Sequence, residues 1–205
     1  MGGGSPPPPT APVTTITCNQ LACSTGWYRT APVRVSLSTT DPSATTWFTT
    51  DGSDPTVSPA RRQFTGPFDL TETATVRFYS VPAEGESETP RSQQVPIDTA
   101  APTATMTAPA GGATISRRTG SVTLTADARD LGTGSGSPSG VQRVVFLDGS
   151  TTVGTAVAPN PGTTVYAVSW KVRQAAMGQH SLRAVATDVA GNSTSSAAVA
   201  VTIVK

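Results

Sequence analysis

The sequence predicts an all-β protein made of two tandem antiparallel β-sandwiches, and three observations lead there. Hydroxyl residues dominate, with 35 Thr and 21 Ser among 205 residues, and Thr mixed with Val suits a pleated, half-buried strand better than a helix. Gly and Pro, 19 and 18 in number, punctuate the chain as turn residues do between short strands. Charged residues make up only 13%, against roughly 25% in an average domain, and nothing in the patterning suggests a long amphipathic helix.

In chain order, residues 1–11, beginning Met1-Gly-Gly-Gly-Ser-Pro-Pro-Pro-Pro, read as a Gly/Pro-rich linker or tail, with neither the basic start nor the apolar segment of a signal peptide. The first sandwich is expected over residues 12–98. Val33, Val35 and Leu37 alternate with Arg34, Ser36 and Ser38, the period of two of a strand buried on one side. Further strands are expected at 45–50, 66–70 and 74–80, with a turn at Asp51-Gly-Ser-Asp-Pro55. Residues 99–103 form a short Pro-containing joint, stiffened at Pro102. The second sandwich is expected over 104–205. Val122, Leu124 and Ala126 face inward on one strand, residues 141–147 end in the hairpin signal Asp148-Gly149, and 165–172 carries Trp170. Residues 181–188 lead into a turn at Val189-Ala-Gly-Asn192, and 198–204 closes the set. Seven or so strands in about 100 residues fit an immunoglobulin-like sandwich.

Charge excludes some classes of function. The net charge is +1; residues 12–98 hold six Arg and nine acids, giving −3, and residues 99–205 hold eight bases and four acids, giving +4. Neither half carries the dense basic stripe of a nucleic-acid binder. No apolar run approaches the roughly 18 residues of a membrane-spanning helix. Cys18 and Cys23 lack the further ligands a zinc site needs, since the chain has one His, and their spacing is not that of a redox dithiol. A local disulfide is the reading that remains, and it implies an oxidising, extracellular or cell-surface location.

Particular stretches resemble known families. Trp47-Phe-Thr-Thr-Asp-Gly-Ser-Asp-Pro-Thr56, Phe64-Thr-Gly-Pro-Phe68 and Ala74-Thr-Val-Arg-Phe-Tyr79 resemble the fibronectin type III-like modules related to the chitobiase/β-hexosaminidase C-terminal domain, and the segment from Cys18 to Tyr28 is similar to the start of such modules. Ala101-Pro-Thr103, Pro109-Ala-Gly-Gly-Ala-Thr114, residues 141–149 and the run from Gly178 to Asn192 resemble bacterial Ig-like repeats. The resemblance implies tandem immunoglobulin/fibronectin-like sandwiches of an extracellular protein. It does not transfer an activity.

Candidate chemistry is sparse. His180 stands alone beside Ser181 with no Gly-x-Ser-x-Gly elbow, so the nucleophile, base and orienting group of covalent catalysis are not assembled. Asp51 and Asp54 flank a Gly-Ser turn and suit backbone hydrogen bonding there. Glu84, Glu86 and Glu88 alternate with Gly85 and Ser87, as in a solvated loop or charged edge. The Gly-rich loop 132–140 lacks the spacing of a phosphate cradle and reads as a flexible connection. Calcium is the one metal the sequence leaves open: Asp130 and Asp188 can converge at one end of the second sandwich, with loop oxygens completing a hard-cation shell. Trp27, Tyr28 and Trp47 are candidate sugar platforms, while Trp170 is expected in the core; adjacent Trp47 and Phe48 must face opposite sides of their strand.

Two functions follow from these readings. One is a non-catalytic extracellular spacer, assembly or adhesion unit whose partners are neighbouring domains of a longer chain or like subunits. The other is a polysaccharide-binding accessory module using Trp27, Tyr28 or Trp47.

Overall fold

The structure, a computed structural model, describes residues 10–132 and 137–205. The predicted linker at 1–11 thus lies almost wholly outside the described residues, as does the middle of the Gly-rich loop. The chain forms two compact units, one ending at Ile97 and the other running Asp98–Lys205.

The first unit holds β1 (Thr14–Cys18), β2 (Leu21–Ala22), β3 (Val33–Thr39), β4 (Thr45–Thr49), β5 (Arg62–Gln63), β6 (Phe68–Leu70), β7 (Ala74–Val81) and β8 (Arg91–Val95). They make two sheets, ordered β2-β1-β3-β6 and β5-β4-β7-β8. As the alternation requires, Val33, Val35 and Leu37 are buried, and they share a core with Phe48, Val76, Phe78 and Val95. Phe48 stacks on Phe68 with centroids 4.3 Å apart and meets Phe64 edge-on at 6.4 Å.

Glu88 departs from the solvated loop expected of its neighbourhood: it is 8% exposed. Its carboxylate accepts from the Thr14 backbone N–H at 2.8 Å, from the Thr14 hydroxyl, and from the Ser80 N–H at 3.1 Å. A buried charge is tolerated when donors of this kind surround it. Here they fasten β1 to β7 across the sandwich.

The second unit holds β9 (Thr103–Ala108), β10 (Thr114–Ser116), β11 (Val122–Arg129), β12 (Val141–Asp148), β13 (Thr151–Ala156), β14 (Val165–Trp170), β15 (Gly178–Asp188), β16 (Ser193–Ser195) and β17 (Val199–Val204), with 3-10 turns η1 (Arg117–Thr119) and η2 (Val172–Gln174). One sheet is ordered β10-β17-β15-β12-β13 with β16 also on β15, the other β14-β11-β9. Leu124, Phe146, Tyr166, Trp170, Leu182 and Ile203 anchor the core between them. β14 stops at Trp170 rather than continuing to Val172, because the chain turns there: Gln174 N–H donates to Lys171 O at 3.3 Å and Ala175 N–H to Val172 O at 3.1 Å. Val172 stays fully buried within the turn.

Register fixes the two ends of this unit. Val122 pairs with Trp170 and Gly178 with Ile203, whereas Asp188 pairs with Val141. One end therefore collects the finish of β11, the start of β12 and the finish of β15. The other collects η1, η2, the finish of β12 and Lys205, roughly 25 Å away along an eight-residue strand.

Candidate functional site

Three carboxylates of the second unit meet at the first of these ends. Asp98, Asp130 and Asp188 each place an oxygen within 4.8 Å of the others. Asp188 ends β15 and is fully buried; Asp98, the first residue of the unit, is 4% exposed; Asp130 follows β11 and is half-buried.

Backbone amides hold all three in place. Asp98 accepts from Ala100 N–H at 3.0 Å and Ser139 N–H at 2.8 Å. Asp130 accepts from Gly132 N–H at 3.2 Å and Gly140 N–H at 2.7 Å. The Val-Ala-Gly-Asn turn folds back on Asp188, whose Oδ1 accepts from Gly191 and Asn192 N–H at 2.6 and 2.7 Å while Oδ2 accepts from Asn192 Nδ2 at 2.9 Å. Asn192 Nδ2 also donates to Asp98 O at 3.0 Å, so its amide serves this cluster. Among the described residues no Lys or Arg pairs with any of the three acids.

The donor set fits a hard divalent cation. A carboxylate offers about four lone-pair sites, and after the bonds above, counted among the described residues, both oxygens of Asp98 and Asp130 and Oδ2 of Asp188 keep one. Calcium takes oxygens at about 2.3–2.6 Å, so ligands on opposite sides of one ion stand about 4.6–5.2 Å apart, which brackets the 4.8 Å span. Without a cation, two carboxylate charges at 4.8 Å repel by on the order of 3 kcal/mol at an effective dielectric of about 20. The sequence reading names Asp130 and Asp188; it misses Asp98, which stands in a stretch read as the approach to a joint.

The other predicted residues have different settings. Cys18 and Cys23 form a disulfide, closing the β1–β2 hairpin whose turn residues Asn19 and Gln20 take positive φ of 52° and 68°. Trp47 and Phe48 face opposite sides of β4: Phe48 is in the core, and Trp47 is half-buried with the Arg61 guanidinium 4.8 Å from its ring centroid. Trp27 and Tyr28 are half-buried between β2 and β3, and Tyr28 Oη accepts from Ser24 N–H at 2.8 Å. Trp27 and Tyr28 thus lie on a different segment from Trp47, and one face of the Trp47 ring is covered. Asp51 accepts from the Ser53 hydroxyl and N–H, and Asp54 from the Thr56 N–H and hydroxyl; these bonds hold both carboxyls below the usual carboxylate range.

His180 is fully engaged. Its Nδ1 lies 2.5 Å from Asp148 Oδ2 and its Nε2 2.9 Å from Ala176 O, and its ring meets Trp170 edge-on at 5.4 Å. With neither nitrogen free to take a proton from Ser181, the imidazole works as a clamp between β15, β12 and the segment after η2.

Two family models match in tandem. Residues 24–92 match the chitobiase/beta-hexosaminidase C-terminal domain and residues 102–184 the bacterial Ig domain. We call the two units the chitobiase-like and Ig-like domains. No curated protein matches the chain. Among solved structures, the fibronectin(III)-like modules of Clostridium thermocellum CbhA are 22% identical, covering 49% of this chain and 94% of that one at a TM-score of 0.38. SGBP-B of the Bacteroides ovatus mixed-linkage glucan utilization locus, solved in complex with a mixed-linkage heptasaccharide, is 18% identical over 95% of this chain and 48% of its own length, at 0.30. The D00-D0 domain of intimin is 15% identical over 94% of this chain and all of its own, at 0.36.

Proposed function

We propose that the chain is a non-catalytic structural segment of an extracellular protein whose Ig-like domain binds calcium through Asp98, Asp130 and Asp188. The convergence of these three carboxylates carries the reading. Two self-contained sandwiches, a disulfide suited to an oxidising compartment, and an imidazole with both nitrogens occupied support the non-catalytic part. Bound calcium would tie the leading residue of the domain to the ends of β11 and β15, stiffening the segment through which tension enters a spacer.

The alternative, sugar binding by Trp27, Tyr28 or Trp47, has weaker support. A stacking platform needs an open ring face, and Arg61 covers one face of Trp47.

Thermal unfolding with and without calcium tests the proposal. Extracellular calcium modules bind at about 0.1–1 mM, and ligand at about ten times Kd stabilises by about 1.4 kcal/mol. At roughly 4–8 °C per kcal/mol for a domain of this size, the Ig-like transition should rise by about 6–11 °C. Asp130→Asn, the least buried of the three, should remove the rise without unfolding the domain. No shift in the unmodified chain refutes the proposal.

A further inference from the structure

The end of the Ig-like domain away from the three aspartates carries a different surface. Arg117, Arg118, Arg173 and Lys205 surround a concavity of about 280 Å³, and among the described residues no carboxylate pairs with any of them. Elsewhere in the chain Arg34, Arg77 and Arg129 each have an aspartate partner. The two turns are bound to each other: Arg117 Nε and Nη2 donate to Arg173 O at 3.1 and 2.5 Å. That bond fixes η1 against η2 and holds like charges together without neutralising them.

Residues of η2 also border a groove of about 600 Å³, whose walls include Thr151, Thr152, Ser169, Lys171 and Gln174 together with Asp148, a carboxylate already paired with His180. Gln174 follows Arg173 directly, so the polar groove and the basic concavity share one turn. Guanidinium forks match carboxylates, and hydroxyls and a side-chain amide match sugar hydroxyls. Trp170, the large aromatic in the groove lining, is only 6% exposed, which disfavours the base stacking of single-stranded nucleic acid.

We propose that this end of the Ig-like domain binds a uronate-bearing polysaccharide, with carboxylates on Arg118 and Arg173 and sugar hydroxyls along Thr152 and Gln174. The site is separate from the calcium cluster and does not depend on it.

Affinity electrophoresis of the whole chain in gels containing polygalacturonate, with EDTA present, tests this. Retardation is expected in polygalacturonate, absent in its fully methyl-esterified form, and weakened as added salt shortens the screening length to about 3–5 Å. The exposed pair Arg118→Gln/Arg173→Gln should weaken binding about tenfold or more while leaving the melting temperature unchanged. Thr152→Ala/Gln174→Ala should weaken binding to polygalacturonate several-fold but not affect any binding to polyglutamate. Equal retardation by the esterified polymer, or wild-type binding by the arginine variant, would overturn the proposal. So would equal affinity for polyglutamate together with no effect of Thr152→Ala/Gln174→Ala, which would assign the surface to an acidic peptide.

Discussion

Replacing Asp148 with Asn should destabilise the Ig-like domain in acid and leave it nearly unchanged in alkali. The reason is the chemistry of the two partners of His180. Asp148 carboxylate and Ala176 carbonyl can only accept, so satisfying both at 2.5 and 2.9 Å requires protons on both ring nitrogens, that is, imidazolium. Burial opposes that charge, but the Ala176 carbonyl and the Asp148 carboxylate outweigh it and raise the pKa above 6.5. Among the described residues, Lys171 is the one Lys or Arg that lines the same groove as the pair. Since the folded pKa is raised, the stabilisation is fully present below the ordinary histidine value and is lost as pH climbs through the folded value. A hydrogen bond between charged groups contributes about 1.5–3 kcal/mol. The His180 and Asp148 side chains are only 10% and 23% exposed, and the desolvation cost of burying both charges offsets part of the gain, so the lower part of that range applies. At roughly 4–8 °C per kcal/mol, Asp148→Asn should lower the melting temperature by about 6–12 °C near pH 5.5 and by much less near pH 9. Calorimetry reads the cost. Proton NMR reads the cause, because the chain's single His gives one pair of imidazole C–H signals. A titration midpoint at or below the ordinary value, or a cost independent of pH, would refute the reasoning.

Three other outcomes follow from the chitobiase-like domain. Reducing the Cys18–Cys23 disulfide should cost about 2 kcal/mol, the loop-entropy value for six residues, seen as an earlier first transition in a denaturant melt; an unchanged transition contradicts it. Glu88→Ala strands the buried Thr14 and Ser80 donors and should cost about 2–3 kcal/mol, with Glu88→Gln losing less; a loss under about 0.5 kcal/mol would mean the site is wet. Asp51→Ala, at an exposed turn, should change stability by about 1 kcal/mol or less, and a larger loss in chemical denaturation would contradict its assignment to a local turn.

Most of the fold was legible because strand alternation is a local signal. β3, β7, β11, β12, β15 and β17 follow the apolar pattern directly, and the Asp148-Gly149 hairpin forms as its residues require, with Gly149 at φ 58°. β1, β2, β5, β10, β13 and β16 are not marked by that pattern. β13 buries only its last residue, and the turn between β1 and β2 uses Asn19 and Gln20 without a Gly. The site was half legible for a related reason. Asp130 and Asp188 precede turn residues, a visible cue, whereas Asp98 joins them only through pairings 32 and 90 residues away that no local pattern encodes. Glu88 reads as solvated from its Gly and Ser neighbours, yet donors from β1 and β7 bury it.

The most direct measurement is a crystal structure of the chain grown with calcium, with anomalous data. One strong peak should lie about 2.3–2.6 Å from oxygens of Asp98, Asp130 and Asp188. A water at that position, or a lysine or arginine side chain folded into the cluster, would contradict the account.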